Sequence, residues 1–220
     1  MTGRYTLFSN KKTVEDHFQS RSTGDVQFEA NYNVAPGNFM PVIFMEKARE
    51  NRIANMKWGL QTSESGGKAQ VNAKAETLTQ QSTLIKAFER KRCIIPANGF
   101  YEWKTLTSDI KLPFYIRLLD DELFGFAGIF DRYTSGNADI LTFAIITTRS
   151  NELLQPLHDR MPVILHPENY DYWLNPINSD QEKLGKLLKP FPTDQMSTYR
   201  VNNQVNDLKN NNEDLIKPVM

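Results

Sequence analysis

The stretch Pro96-Ala97-Asn98-Gly99-Phe100-Tyr101-Glu102-Trp103 sets one acidic side chain among aromatic neighbours, directly after a turn-forming Asn-Gly pair. In a strand, successive side chains face opposite sides, so Glu102 points away from Tyr101 and Trp103. A carboxyl turned inward on such a strand is desolvated, and its proton affinity rises toward neutral pH. An ordinary exposed strand carboxylate is the other reading of this segment. Around it, the apolar runs are short and often alternate with polar residues, which favours strands. The pattern predicts strands at Arg4–Phe8, Phe28–Val34, Pro41–Met45, Ile53–Trp58, Phe114–Leu119, Phe124–Phe130 and Leu141–Thr147, with a weaker one at Thr198–Val201.

Helical spacing is confined to a few places. Val14 and Phe18 lie four apart in Lys11–Phe18, behind Ser9 or Asn10 as cap. Ser82–Arg92 places Leu84, Ile85 and Phe88 on one face, and Glu168–Leu174 and Gln181–Leu188 read as short helices. Gln61–Gln70, with Ser-Glu-Ser-Gly-Gly at its centre, reads as a surface loop, and the Asn-rich Asn202–Asn212 as an irregular segment. Many strands with scattered helices indicate the α+β class: a single domain with a curved, mostly antiparallel, barrel-like sheet and a few peripheral helices.

At 220 residues and 40% hydrophobic composition, the chain can bury one sizeable core. Lys+Arg and Asp+Glu both number 26, which excludes a generally basic protein that coats nucleic acid by charge alone. A local basic groove remains open. Cys93 is the single cysteine, so no intrachain disulfide can form; a reducing cytoplasm is the expected compartment, and Cys93 reads as a buried small hydrophobe. There is no apolar leader and no run long enough to span a bilayer.

The second proton-handling segment is Leu157-His158-Asp159-Arg160-Met161-Pro162. A carboxylate and an imidazole together are what general acid–base catalysis near neutral pH requires. A lone histidine can equally be a core or surface residue. His17 and His166 form no ligand spacing with His158, so neither a metal nor a cofactor is expected. Val71-Asn72-Ala73-Lys74-Ala75-Glu76-Thr77 adds an amide that could fix an oxygen or phosphate, and a cation; a turn residue followed by a solvated lysine is the alternative. Lys86, Arg90, Lys91 and Arg92 form the densest basic cluster, a possible phosphate contact or a solvated helix face.

Together these segments resemble the SOS-response-associated peptidase (SRAP) family, whose members handle abasic sites in single-stranded DNA. The resemblance runs from Gly3-Arg4-Tyr5 through Tyr32-Asn33-Val34-Ala35-Pro36, Trp58-Gly59-Leu60 and Asn72-Ala73-Lys74-Ala75-Glu76-Thr77. It continues through Arg92–Ala97, Gly99–Trp103, Phe126–Ile129, Ile146–Thr148 and His158–Pro162 to Val201–Asn206. It implies a single domain over residues 1–220. It also implies chemistry at the N-terminal residue after loss of Met1. The α-amine condenses with the open-chain aldehyde of an abasic deoxyribose, and a neighbouring thiol closes a stable ring. The resemblance further assigns proton transfer to Glu102, ring opening and reversal to His158, and orientation of the N-terminus and sugar to Asn72. A groove of basic and aromatic residues would hold the strand, with Arg4, Lys74 and Arg160 near the site, Trp103 as aromatic wall, and Lys86 and Arg90 on the approach.

The sequence departs from the family where the covalent chemistry begins. Thr2 stands in place of the cysteine. A threonine keeps the α-amine, but its hydroxyl is far less acidic and less nucleophilic than a thiol. The resemblance therefore implies a Schiff base at Thr2 with a weakened or absent stable cross-link. Lys74 replaces a usual arginine, and Gln61-Thr62-Ser63-Glu64-Ser65 replaces common aromatics. A DNA-binding or scaffolding relative without chemistry is the rival expectation, and a peptidase acting on itself a third.

Overall fold

The run Arg92-Cys93-Ile94-Ile95-Pro96-Ala97 is buried at every position, the pattern of a strand covered on both faces rather than of an amphipathic one. In the computed structural model, which describes residues 3–45, 50–61, 69–120, 123–135 and 138–219, this run is a central strand. In chain order the strands are β1 (Arg4–Leu7), β2 (Ser20–Ser22), β3 (Asn31–Val34), β4 (Phe39–Met45), β5 (Asn51–Trp58), β6 (Asn72–Lys74) and β7 (Arg92–Ala97). They continue as β8 (Gly99–Thr105), β9 (Lys111–Leu118), β10 (Phe124–Ser135), β11 (Ala138–Arg149), β12 (Arg160–Pro162), β13 (Ile164–Leu165) and β14 (Met196–Arg200). The helices are α1 (Lys11–His17), α2 (Ser82–Arg90), α3 (Tyr170–Leu174) and α4 (Gln181–Lys186).

The larger sheet runs β12-β11-β10-β7-β4-β5-β2, and β5 pairs back onto β11 through Thr142↔Lys57 and Phe143↔Trp58. That return closes β11, β10, β7, β4 and β5 into a barrel and removes their edges. The second sheet runs β14-β9-β8-β1-β3 and is antiparallel throughout. Asn98 alone separates β7 from β8, so one long strand bends from barrel to second sheet. Its buried side-chain oxygen accepts from the backbone N–H groups of Phe8 and Ser9, and its own N–H donates to Thr6 O at 2.8 Å. The barrel-like α+β reading thus holds, with parallel pairings among the described residues confined to β2–β5, β5–β11 and β6–β11.

The main core lies where the two sheets meet. Tyr5 from β1, fully buried, packs edge-on against Trp58 and Phe126 of the barrel, and Phe100 from β8 meets Phe126. The opposite face of the second sheet carries a smaller cluster of Tyr101, Tyr115, Val201, Val205 and Leu215, with Trp103 packed against it. The alternation expected for β8 is therefore present: Phe100 enters one cluster and Tyr101 the other.

Several boundaries differ from the sequence reading. Asn10, not Ser9, caps α1, accepting from Thr13 N. The second helix stops at Arg90 because Arg92 opens β7 and folds its guanidinium back over the helix end, donating to Phe88 O and Glu89 O. The same buried guanidinium donates to the carbonyls of Trp173, Asn175 and Asn178, so it ties α2 and α3 to the barrel. Burial lowers its proton affinity to about 10. Cys93 is buried, as read from sequence, and its carbonyl accepts from Trp173 Nε1. Most of the Gln61–Gln70 loop lies outside the described residues. Asn202–Asn212 forms short 3-10 turns rather than a regular element.

Gly99 admits no side chain: a Cβ there would meet the Tyr115 hydroxyl oxygen at 2.2 Å. Tyr115 cannot retreat, being buried and hydrogen-bonded to Thr6 at 2.9 Å. Gly99→Ala is expected to cost about 1–3 kcal/mol by overpacking. Urea denaturation measures this, and an unchanged midpoint would show that the ring has room to move.

Candidate active site

Strand β1 sets where the amino end of the chain goes. Its register against β8 pairs Arg4 with Tyr101, Tyr5 with Phe100 and Thr6 with Gly99. Gly3, one residue earlier, lines a cleft of about 630 Å³ together with Arg4, Glu102, Trp103, Thr105, Lys111, His158 and Asn206. Thr2 lies outside the described residues, but chain connectivity joins it directly to Gly3. Glu102 is 3% exposed on β8 opposite Phe114, an acidic group almost wholly removed from water. Glu102 and His158 therefore reach one cleft from strand and loop elements far apart in sequence.

His158 follows the turn at residues 151–157, with its N–H donating to Leu154 O at 3.0 Å. Its imidazole titrates below the usual histidine value. Burial is the largest cause, and the positive charge of the amino terminus adds to it, while the Asp159 carboxylate opposes. The ring is thus mainly neutral at pH 7, a state suited to proton exchange. Arg4 is held by Asn33 Oδ1 at 2.7 Å and Val205 O at 2.8 Å, with its guanidinium 6.0 Å from the centre of the Trp103 ring. Trp103 Nε1 donates to Asn206 Oδ1 at 2.8 Å. The tryptophan is half-buried, so part of its ring presents a stacking surface to the cleft.

The other sequence candidates are placed less directly. Asn72 and Lys74 lie on β6, paired parallel to β11 through Ile145↔Asn72 and Thr147↔Lys74; neither lines the cleft, and Lys74 is exposed. Arg160 opens β12 on the other edge of β11. Its fork donates to both carboxylate oxygens of Glu76, at 2.8 and 2.9 Å, and to Thr147 O at 2.5 Å. Arg160 thereby clamps the β6 segment to the His158 segment, and its guanidinium is committed to protein groups. Lys86 and Arg90 are exposed on α2, away from the cleft lining, where Arg90 donates to Pro176 O. Sequence reasoning passed over Thr105, Lys111 and Asn206 as cleft residues. Lys111 stands opposite Thr105 across the β8–β9 hairpin, a pairing that follows from extending β8 past Trp103. Among the described residues no cluster of His, Cys, Asp and Glu has the geometry to hold a metal ion.

Comparison with known proteins shows the family of the chain. Residues 1–208 match the family model described as SOS response associated peptidase (SRAP). The chain is 41% identical over 224 residues to the abasic site processing protein YoqW of Bacillus subtilis, covering 99% of each. It is 27% identical over 232 residues to abasic site processing protein YedK of Escherichia coli, covering both chains fully. A crystal structure of a Bacteroides thetaiotaomicron protein superposes with a TM-score of 0.84 at 26% identity over 99% of each chain.

The Arg160–Glu76 pair has a pH signature. The hydrogen bond from Arg160 is the largest of the causes that hold the Glu76 carboxyl below the usual carboxylate range. A depressed folded-state value stabilises above the unfolded value of about 4.3 and is lost as pH falls through the folded one. Glu76 is 45% exposed, so screening limits the effect. Glu76→Gln should cost about 0.5–1 kcal/mol at pH 7 and flatten the acid limb of the melting-temperature profile. Identical profiles for both proteins would show that the pair contributes nothing.

Proposed function

Because the chain belongs to the SOS response associated peptidase family, we propose that it processes abasic sites in single-stranded DNA through the amine of its N-terminal residue. The observation that carries this reading is the shared cleft: Gly3 enters it beside the buried Glu102 and the imidazole of His158. An abasic deoxyribose is a cyclic hemiacetal, and opening it needs a proton delivered to the ring oxygen and one removed from the anomeric hydroxyl. This reading assigns those proton transfers to Glu102 and His158. Once Met1 is removed, the Thr2 α-amine adds to the aldehyde, and loss of water gives a Schiff base. Addition of the Thr2 hydroxyl to that imine would close an oxazolidine, which reopens more readily than a thiol-closed ring. Asn72 belongs to this reading as the amide that orients the amino end and the sugar.

Binding rests on local charge. Arg4 and Lys111 supply positive charge to the cleft, Trp103 offers a stacking surface, and Lys74, exposed on β6 outside the cleft lining, would act only on strand that extends past it. Lys86 and Arg90 would act only on a longer strand that reaches α2. The same reading takes residues 1–220 as one domain, in keeping with the bonds from Asn33 and Arg4 to the segment around Val205. It places the protein in a reducing cytoplasm, in keeping with the free, buried Cys93. No helix among the described residues is long and apolar enough to cross a membrane.

The decisive experiment incubates the protein with an abasic oligonucleotide, with and without borohydride. Reductant should trap a covalent adduct; without it, heat-stable adduct should be scarce for the natural chain and abundant for Thr2→Cys. Equal heat-stable adduct from both would overturn the role given to the missing thiol. Retention of Met1 by mass spectrometry, with undiminished oligonucleotide binding, would favour a non-covalent DNA-binding relative.

Salt-titrated anisotropy tests the groove separately. Three or four phosphate contacts predict a slope of log affinity against log salt of roughly −2 to −3. Arg4→Ala or Lys74→Ala should flatten it, whereas Trp103→Ala should lower affinity at nearly constant slope. No binding by folded protein at low salt would remove the DNA reading.

A further inference from the structure

His158 Nδ1 has two neighbours that require opposite things of it. The backbone N–H of Arg160 donates to it at 3.0 Å, which needs an unprotonated Nδ1. The Asp159 carboxylate oxygen lies 2.8 Å away, which needs a proton there. The first partner therefore selects the tautomer with its hydrogen on Nε2, and the second the tautomer with its hydrogen on Nδ1. With Nδ1 engaged from both sides, proton exchange in the cleft falls to Nε2. In the Arg160-bonded form Nε2 carries a hydrogen and can donate it. In the Asp159-bonded form Nε2 carries a lone pair and can accept one.

We propose that Asp159 is a positioning residue that selects the base-competent tautomer of His158, while the Arg160 N–H selects the acid-competent one. This rests on the reading that the cleft opens abasic sugars, a reaction that needs a proton given at one oxygen and taken at another. The interchange is balanced: one proton leaves Nε2, one arrives at Nδ1, and the ring stays neutral in both forms. The arrangement lets one imidazole serve either direction of the hemiacetal equilibrium through a small local change at Nδ1. Glu102, Arg4 and Lys111 line the same cleft; the charges of the amino terminus and of the Arg160 guanidinium, the latter paired with Glu76, both lower the proton affinity of the ring. Asp159 meets Nδ1 at 2.8 Å and is 85% exposed, so it can be changed without disturbing the core. Its backbone contribution, accepting from Ser150 N at 3.0 Å, survives any side-chain substitution.

The test begins on the DNA-free protein. Long-range proton–nitrogen spectra of ¹⁵N-labelled protein report the His158 tautomer. Wild type should show a mixture, and Asp159→Ala the Nε2–H form alone, with its titration midpoint lower by about half a pH unit. Asp159→Asn, which keeps an acceptor oxygen, should fall between them. In borohydride trapping with an abasic oligonucleotide, Asp159→Ala should slow adduct formation several-fold, and the limb of the pH profile should move with the spectroscopic midpoint. An unchanged tautomer ratio in Asp159→Ala, or an unmoved pH limb, would overturn the proposal. Failure of wild type to form any trapped adduct, with the spectroscopic change intact, would instead sink the abasic-site reading on which it rests.

Discussion

The pairing of β1 between β8 and β3 is the constraint on which the site depends. It is a short strand, but its register decides which side chain of the amino end meets Glu102. A slip of one residue would turn Tyr5 out of the core and Arg4 into it, reversing both faces at once. Tyr5 guards against that slip because it is fully buried between Trp58 and Phe126. A core contact in the middle of the strand thus fixes where Gly3, two residues away, enters the cleft.

The other end of the chain completes the wall. Asn33, on β3 next to β1, donates to the carbonyls of Val205, Asp207 and Asn210 and accepts from Arg4. One buried amide therefore ties the amino-terminal strand to the carboxy-terminal turns, and Asn206 in those turns holds Trp103 from behind. The irregular backbone of this segment is held where the Asn33 amide donates to its carbonyls.

How much of this the sequence disclosed follows from what kind of signal each feature leaves. Strands such as Phe124–Phe130 and Leu141–Thr147 were legible because alternation and apolar runs reflect burial directly, although both strands proved longer where the barrel rim is polar. Strand β7 was concealed by its uniform burial, which erases the period of two. The pairing of Glu102 with His158 came from residue chemistry and family resemblance, and no periodicity could have supplied it. Arg160 shows the opposite failure: a cation beside a site suggests a ligand contact, but its partner Glu76 lies 84 residues away and is invisible without the fold. Asp159 was hidden in plain view, since nothing in a sequence says which of two adjacent groups a ring nitrogen will face.

Arg92 carries a consequence for where the molecule is chemically robust. Its buried charge is balanced by carbonyl oxygens at the ends of α2 and α3. Peptide carbonyls do not titrate in the range where carboxylates do, so acid cannot strip this cation of its counter-field. The junction of helices and barrel is consequently indifferent to acidification, whereas the clamp between Arg160 and Glu76 is not. As pH falls, the clamp between Arg160 and Glu76 should weaken while the carbonyl cage around Arg92 keeps its partners. Whether acid can loosen an arginine's anchorage is thus set by whether a side chain or the backbone answers it.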